Sequence, residues 1–285
     1  EQGGAYYDIT PMRYRTGTVS LTNPFTTSVS SPAVQVTDSA LNLFAGDVVN
    51  IYGVTVAVNG IPASYFNTQF KVASVIDTSN FTINVGYNAT GAGTGGGTCT
   101  MTYYTYWFPI TGIATVSGSS TVTITATGNG CVNGDFVYFG TSVTYNGVTI
   151  FGWYQVNAVL TNSYQITAST TATGTGANAG TWYVQYQVNT GLEIAVPETG
   201  WGAGAWSSGT WGVGSQSQQQ LQIWSQYNFG ENLVYGPRGG GVYYWLASTG
   251  VTVPGYNLIQ SYGASDVPIV QNNILVSDTS RFVLC

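Results

Sequence analysis

Histidine is absent from the 285 residues. That removes Ser-His-Asp and Cys-His catalysis, His-ligated zinc and the usual general base near neutral pH. Three cysteines, Cys99, Cys131 and Cys285, are odd in number and far apart, so they imply neither a disulfide framework nor a thiolate metal site. No metal and no cofactor is expected. Charge is scarce as well: 6% of residues are charged, about a quarter of the usual share. With five basic residues against eleven acidic ones the net charge is −6. Of the basic residues, Lys71, Arg13, Arg15, Arg238 and Arg281, two alone lie close together, Arg13 and Arg15. A grip on nucleic acid needs clustered cations to neutralise phosphates; a weakly acidic wall would let DNA slide past without specific binding. No apolar run approaches the length that crosses a bilayer, so no membrane insertion is expected. No signal peptide is visible either. The chain starts at Glu1 and ends on an apolar stretch, Arg281 to Cys285, with nothing to close it. More chain is therefore expected at either end.

What is present is aromatic, small and uncharged. Phe, Trp and Tyr make up 14% of the chain and glycine numbers 38, while Ser, Thr, Asn and Gln supply most of the polar surface. Such a surface suits a protein packed against copies of itself; a secreted β-protein with a neutral surface would share it. Helix signals are nearly lacking. Apolar residues alternate with Thr, Ser or Asn over short stretches, as in Thr121-Val122-Thr123-Ile124-Thr125, and glycine or Asn-Gly punctuates them. That is the strand-and-turn pattern. The glutamine-rich stretch Ser215 to Ser225 tolerates a helix, but Leu221 and Ile223 alternate, which favours strand.

An internal repeat organises the first two thirds. Gly46-Asp47-Val48-Val49-Asn50-Ile51-Tyr52-Gly53 answers Gly134-Asp135-Phe136-Val137-Tyr138-Phe139-Gly140, and Val58-Asn59-Gly60 answers Tyr145-Asn146-Gly147. Phe70 to Val75 then matches Tyr154 to Val159, Asn80-Phe81-Thr82-Ile83 matches Ser163-Tyr164-Gln165-Ile166, and Ala89-Thr90-Gly91 matches Ala172-Thr173-Gly174. Two consecutive β-modules follow, residues 17–112 and 113–190, each a small sandwich or barrel. Gly46-Asp47 and Gly134-Asp135 read as tight turns in which glycine takes positive φ and the carboxylate accepts backbone N–H bonds. Asn59-Gly60 and Asn146-Gly147 read as two-residue hairpin turns. Beyond residue 190, Trp201, Trp206 and Trp211 are interleaved with glycine, and paired strands flank Gly-Pro-Arg-Gly-Gly-Gly. Successive hairpins fit blades of a β-propeller; a sandwich would give the same local pattern.

Sharper chemistry finds little support. A carboxylate pair could serve glycoside hydrolysis, but Glu193, Glu198, Asp47 and Asp135 are better read as turn, cap or solvated residues. Gly91, Gly93 and Gly96 satisfy G-x-G-x-x-G, yet they lead into a strand and not a helix, so no pyrophosphate site results. Asn80-Phe81-Thr82 and Asn88-Ala89-Thr90 are glycosylation sequons by pattern. Exposed Trp and Tyr would also suit stacking on sugars, although alternating aromatics are more often core or interface.

Several segments carry a resemblance. They are Gly3-Gly4-Ala5-Tyr6-Tyr7-Asp8-Ile9-Thr10-Pro11-Met12-Arg13, Asn189-Thr190-Gly191-Leu192, Gly200-Trp201-Gly202-Ala203-Gly204, Ile223 to Leu233, and Pro237-Arg238-Gly239-Gly240-Gly241-Val242-Tyr243-Tyr244-Trp245. Together these resemble virion structural proteins of short-tailed bacteriophages, of the tail nozzle (tail tubular protein B) kind. The resemblance implies a propeller-like platform, residues 191–285 packed with segment 1–16, into which the two modules are inserted. It also implies that family members continue past Cys285. The expected function is a non-enzymatic virion protein made in the bacterial host cytoplasm: a ring of copies in the tail, surrounding the DNA exit channel, bearing its modules outward and contacting other phage tail proteins. Trp201, Trp206, Trp211 and Arg238 are the candidate interface residues. The alternative is a tail fibre or baseplate module that binds host-surface carbohydrate.

Overall fold

The computed structural model describes residues 8–191, 222–261, 266–277, 279–280 and 282–285. Among these the chain is all-β, with three single 3-10 turns as its helical content. The described residues fall into two compact units, one holding 12–187 with 260–261 and the other holding 8–11, 188–191, 222–259 and 266 onward.

The first unit contains the repeat. Its first half runs through β1 (Arg15–Thr22), β2 (Phe25–Thr27), β3 (Ala33–Thr37), β4 (Val48–Tyr52), β5 (Gln69–Lys71), β6 (Ser74–Asp77), β7 (Asn80–Asn84), β8 (Gly93–Gly95) and β9 (Thr98–Thr105). These make two antiparallel sheets, ordered β1-β9-β4-β5 and β6-β7-β3-β2-β8. Strict alternation puts Val34 and Val36 of β3 opposite Ile83 and Phe81 of β7. These side chains meet Val49, Ile51 and Met101 from the other sheet in a single core. Threonine and serine occupy the outer faces, where hydroxyls pair across strands: Thr18 with Thr102 at 3.0 Å, Thr26 with Thr94 at 3.1 Å, Ser74 with Thr82 at 2.7 Å. Such pairs stabilise neighbouring strands without charge, which is how so few ions suffice.

The second half repeats the topology through β10 (Phe108–Thr115), β11 (Thr121–Thr125), β12 (Phe136–Tyr145), β13 (Val148–Gln155), β14 (Asn157–Leu160), β15 (Ser163–Thr167) and β16 (Gly176–Tyr186). Here all the strands join one curled sheet, β13-β12-β16-β10-β11-β15-β14. The difference is local. In the first half Asn23, at φ 49°, breaks the chain between β1 and β2, while Gly96 and Gly97 break it between β8 and β9. The breaks are tied together by Asn23 N–H to Gly97 O at 2.7 Å and Gly97 N–H to Asn23 Oδ1 at 3.0 Å. A side chain at Gly96 would run into the Phe25 ring. In the second half β10 runs through with a bulge between Ile110 and Gly112, and β16 is continuous. One long pair of strands thus joins into one sheet what the first half keeps as two.

The other unit is an antiparallel meander, β17 (Trp224–Phe229), β18 (Asn232–Pro237), β19 (Tyr243–Trp245) and β20 (Tyr256–Asn257), with a separate pair β21 (Leu275–Val276) and β22 (Val283–Leu284). Val234, Val242, Ile274 and Val276 form its core. The N-terminal segment joins it: Tyr235 Oη donates to Ile9 O at 2.8 Å, and Val188 N–H donates to Pro11 O at 2.8 Å. Of the stretch Ser215 to Ser225, the described end enters β17 at Trp224.

Candidate functional site

The repeated turns are built from the same bonds. Asp47 Oδ2 accepts the Phe44 N–H at 2.7 Å, Gly46 N–H donates to Val72 O at 2.9 Å, and Val72 N–H donates to Asp47 O at 2.8 Å. In the second module Asp135 Oδ2 accepts the Val132 N–H at 3.0 Å, Gly134 N–H donates to Val156 O at 2.9 Å, and Val156 N–H donates to Asp135 O at 2.8 Å. Gly46 and Gly134 sit at φ 93° and 99°, where a side chain is strained. Burial pushes the Asp47 carboxyl up to about 6, against the lowering pull of the Thr105 hydroxyl, the Phe44 N–H and Arg15. Burial also raises Asp135, opposed by the Val132 N–H and Arg13. Both carboxylates are engaged in their own turns.

Asn59-Gly60 and Asn146-Gly147 have both φ values positive, 45° and 88°, 47° and 76°, as a type I′ turn requires. Their side chains reach further. Asn59 Nδ2 donates to the hydroxyl of buried Thr27 at 2.8 Å and to Gly93 O at 3.0 Å, while Asn59 O accepts the Thr90 N–H at 2.9 Å. Asn146 Nδ2 donates to the Thr115 hydroxyl at 2.9 Å and to Gly174 O at 3.2 Å, and Asn146 O accepts the Thr173 N–H at 2.8 Å. Each hairpin tip is thereby strapped to the Thr-Gly loop. Thr27 and Thr115, which close the strap, lie outside the repeat blocks read from the sequence.

The two neighbouring arginines serve one module each. Arg15 lies over the Tyr103 ring at 5.5 Å and its Nη2 donates to Leu41 O at 3.1 Å. Arg13 lies over the Tyr186 ring at 5.1 Å and its Nη2 donates to Asn129 O at 2.7 Å. The tyrosines are repeat partners, since Tyr103 faces Val49 and Tyr186 faces Val137. Arg13 Nη1 also reaches Cys131 Sγ at 3.6 Å, and burial pushes that thiol up to about 11. The sequence places the two arginines close together but does not point to these partners.

In the meander unit the Pro237–Gly241 loop closes on Gln271, a residue the sequence did not single out. Gln271 Nε2 donates to Pro237 O at 2.7 Å, its N–H donates to Gly240 O at 2.9 Å, and its carbonyl accepts the Gly239 N–H at 2.7 Å. The Arg238 side chain is exposed beside this clasp, and its N–H donates to Ile223 O at 2.8 Å. Trp201, Trp206, Trp211, Glu193 and Glu198 lie outside the described residues.

Two surface features stand out. The hairpin β12–β13 turns Phe136, Phe151 and Trp153 to solvent, the last two 57% and 43% exposed, with Tyr138 and Trp153 rings 5.0 Å apart. At the seam of the first module, where Val72 and Ala73 cross from one sheet to the other, a groove of about 860 Å³ is lined by Tyr65, Thr68, Lys71 and Asn84 among others. Among the described residues no three His, Cys, Asp or Glu side chains lie close enough to hold a metal ion, and no helix is long and apolar enough to cross a membrane.

No protein-family model matches the chain, and no curated protein matches it. Among solved structures, Phage phi92 endosialidase aligns with 94% of this chain at 15% identity and a TM-score of 0.27. The chain spans 45% of that protein's length. A likeness this distant carries no argument.

Proposed function

We propose that the chain is a structural protein of a bacteriophage virion, a ring-forming subunit of the tail nozzle or tail tube around the DNA exit channel. The observation that carries the reading is the distribution of charge over exposed strands. Between Asp77 and Glu193 the one charged residue is Asp135, and it is buried. Edge strand β13 therefore presents an edge with no partner strand and exposed Phe151 and Trp153, with no ion on either strand of its hairpin. Proteins that live as monomers guard such edges with lysine, proline or inward charge. An unguarded aromatic edge suits a surface covered by neighbouring protein, where few ions need desolvating. The motifs at Ile223 to Leu233 and Pro237 to Trp245 support the phage assignment by their resemblance. No catalytic step is part of this reading.

Replacing Phe151 and Trp153 together by Glu tests it in assembled particles. Both side chains are exposed, so the fold is expected to keep its strand signal and unfolding midpoint. Incorporation into particles is expected to fall by about tenfold or more, because unpaired charges would be buried at a contact. Unchanged incorporation would count against the reading. The groove of the first module favours a second reading, a tail fibre or baseplate module that binds host-surface carbohydrate.

A further inference from the structure

We propose that the seam groove of the first module binds an acidic oligosaccharide, Tyr65 and Tyr87 stacking on a sugar ring and Lys71 pairing with its carboxylate. This deepens the carbohydrate reading and rests on it.

The groove has the chemistry a sugar needs. Tyr65 lines it, and Tyr87, next to lining residue Gly86, sits at its edge with its ring 4.9 Å from that of Tyr65 and tilted 56°; the two are 42% and 37% exposed. Flat aromatic faces left in water at the rim of a cleft match the apolar C–H face of a pyranose, while their hydroxyls stay free to bond. Ser64, Thr68 and Asn84 add uncharged donors and acceptors around the same space. The volume, about 860 Å³, lies in the range of small-ligand sites and leaves room for a short oligosaccharide.

Charge narrows the ligand. Lys71 is the chain's single lysine and lies exposed in the groove wall. The nearby Asp47 carboxylate is 4% exposed and bonded into its own turn at Phe44, so it does not face a ligand there. A carboxylate on the sugar would meet an ammonium group and no opposing ion.

The second module shows that the fold does not require these groups. With the repeats aligned on Val72/Val156 and Ala89/Ala172, Lys71 corresponds to Gln155 and Tyr87 to Thr170. The 3-10 turn Ala63–Tyr65 has no counterpart, because continuous β13 takes its place. The same topology folds without the tyrosine pair, the lysine or the turn. Their presence in the first module is therefore an addition to the scaffold.

Titration of the 285-residue chain, followed calorimetrically and by backbone amide shifts, tests this with tetragalacturonate and a hyaluronan tetrasaccharide as acidic probes and maltotetraose as the neutral one. Binding of an acidic probe is expected, with shifts confined to residues 64–73 and 84–87. Lys71→Gln, which copies the second module, is expected to weaken it about fivefold, and raised salt to do the same. Tyr65→Ala is expected to weaken it at least as much. Equal binding of the neutral probe, with no effect of Lys71→Gln, would overturn the acidic assignment and leave the carbohydrate reading standing. No binding of any probe, or shifts elsewhere, would overturn both.

Discussion

Asp47 holds its turn with a carboxylate 2.7 Å from the Phe44 N–H, yet burial pushes its carboxyl from 3.8 up to about 6. The turn bond and the desolvation oppose each other, and desolvation is the larger. Because the folded group holds its proton more tightly than the unfolded one, its contribution to stability is fully present below 3.8. It is lost as pH rises towards about 6. Across that window Asp47 alone is expected to lower stability by up to about 3 kcal/mol. Asp47→Asn keeps an acceptor for Phe44 and cannot ionise, so unfolding at pH 4 and pH 7 is expected to show a smaller loss in the variant than in the parent. An identical loss in both would show that Asp47 is not strained by burial. Turn residues of this kind are legible in a sequence because glycine, Asp and Asn act within a few positions. The Arg13 and Arg15 clamps were not legible, since their partners, Asn129 and Leu41, are brought near by the fold.

At the scale of elements, alternation over Val34 and Val36, Phe81 and Ile83, or Val122 and Ile124 gave strands whose inward residues form the two cores. What alternation could not show is whether a strand runs on. Asn23-Pro24 and Gly96-Gly97 split the long pair in one module, and a bulge after Ile110 keeps it whole in the other. The difference between two sheets and one thus rests on a few residues whose effect depends on their partners across the strand. The Asn-Gly hairpins are likewise more than turns. Asn146→Gly keeps the positive φ and removes the strap to Thr115 and Gly174. It is expected to destabilise the chain by roughly 1–2 kcal/mol in chemical unfolding, since the two side-chain bonds of Asn146 are lost while the Thr115 hydroxyl keeps its own bond to Gly174 O at 3.1 Å. A neutral result would mean that φ alone is what the position requires.

For the whole molecule, the sparse charge read from composition acquires a location. The described strands from β8 to β16 expose threonine, serine and aromatic rings, and the ions cluster elsewhere in the chain. Hydroxyl pairs such as Thr144 with Thr149, 2.9 Å apart, hold the outer face together without them. The groove beside Lys71 was not legible, because it forms where the 3-10 turn and the loop after β7 meet, and no single segment announces it. On the proposed reading, this surface is made to be covered by other protein in a tail. A reconstruction of the intact particle measures that directly. Several copies are expected, arranged as a ring in the tail, with the β12–β13 faces buried against neighbouring subunits. A chain absent from the tail, or present with Phe151 and Trp153 open to solvent in every copy, would contradict it.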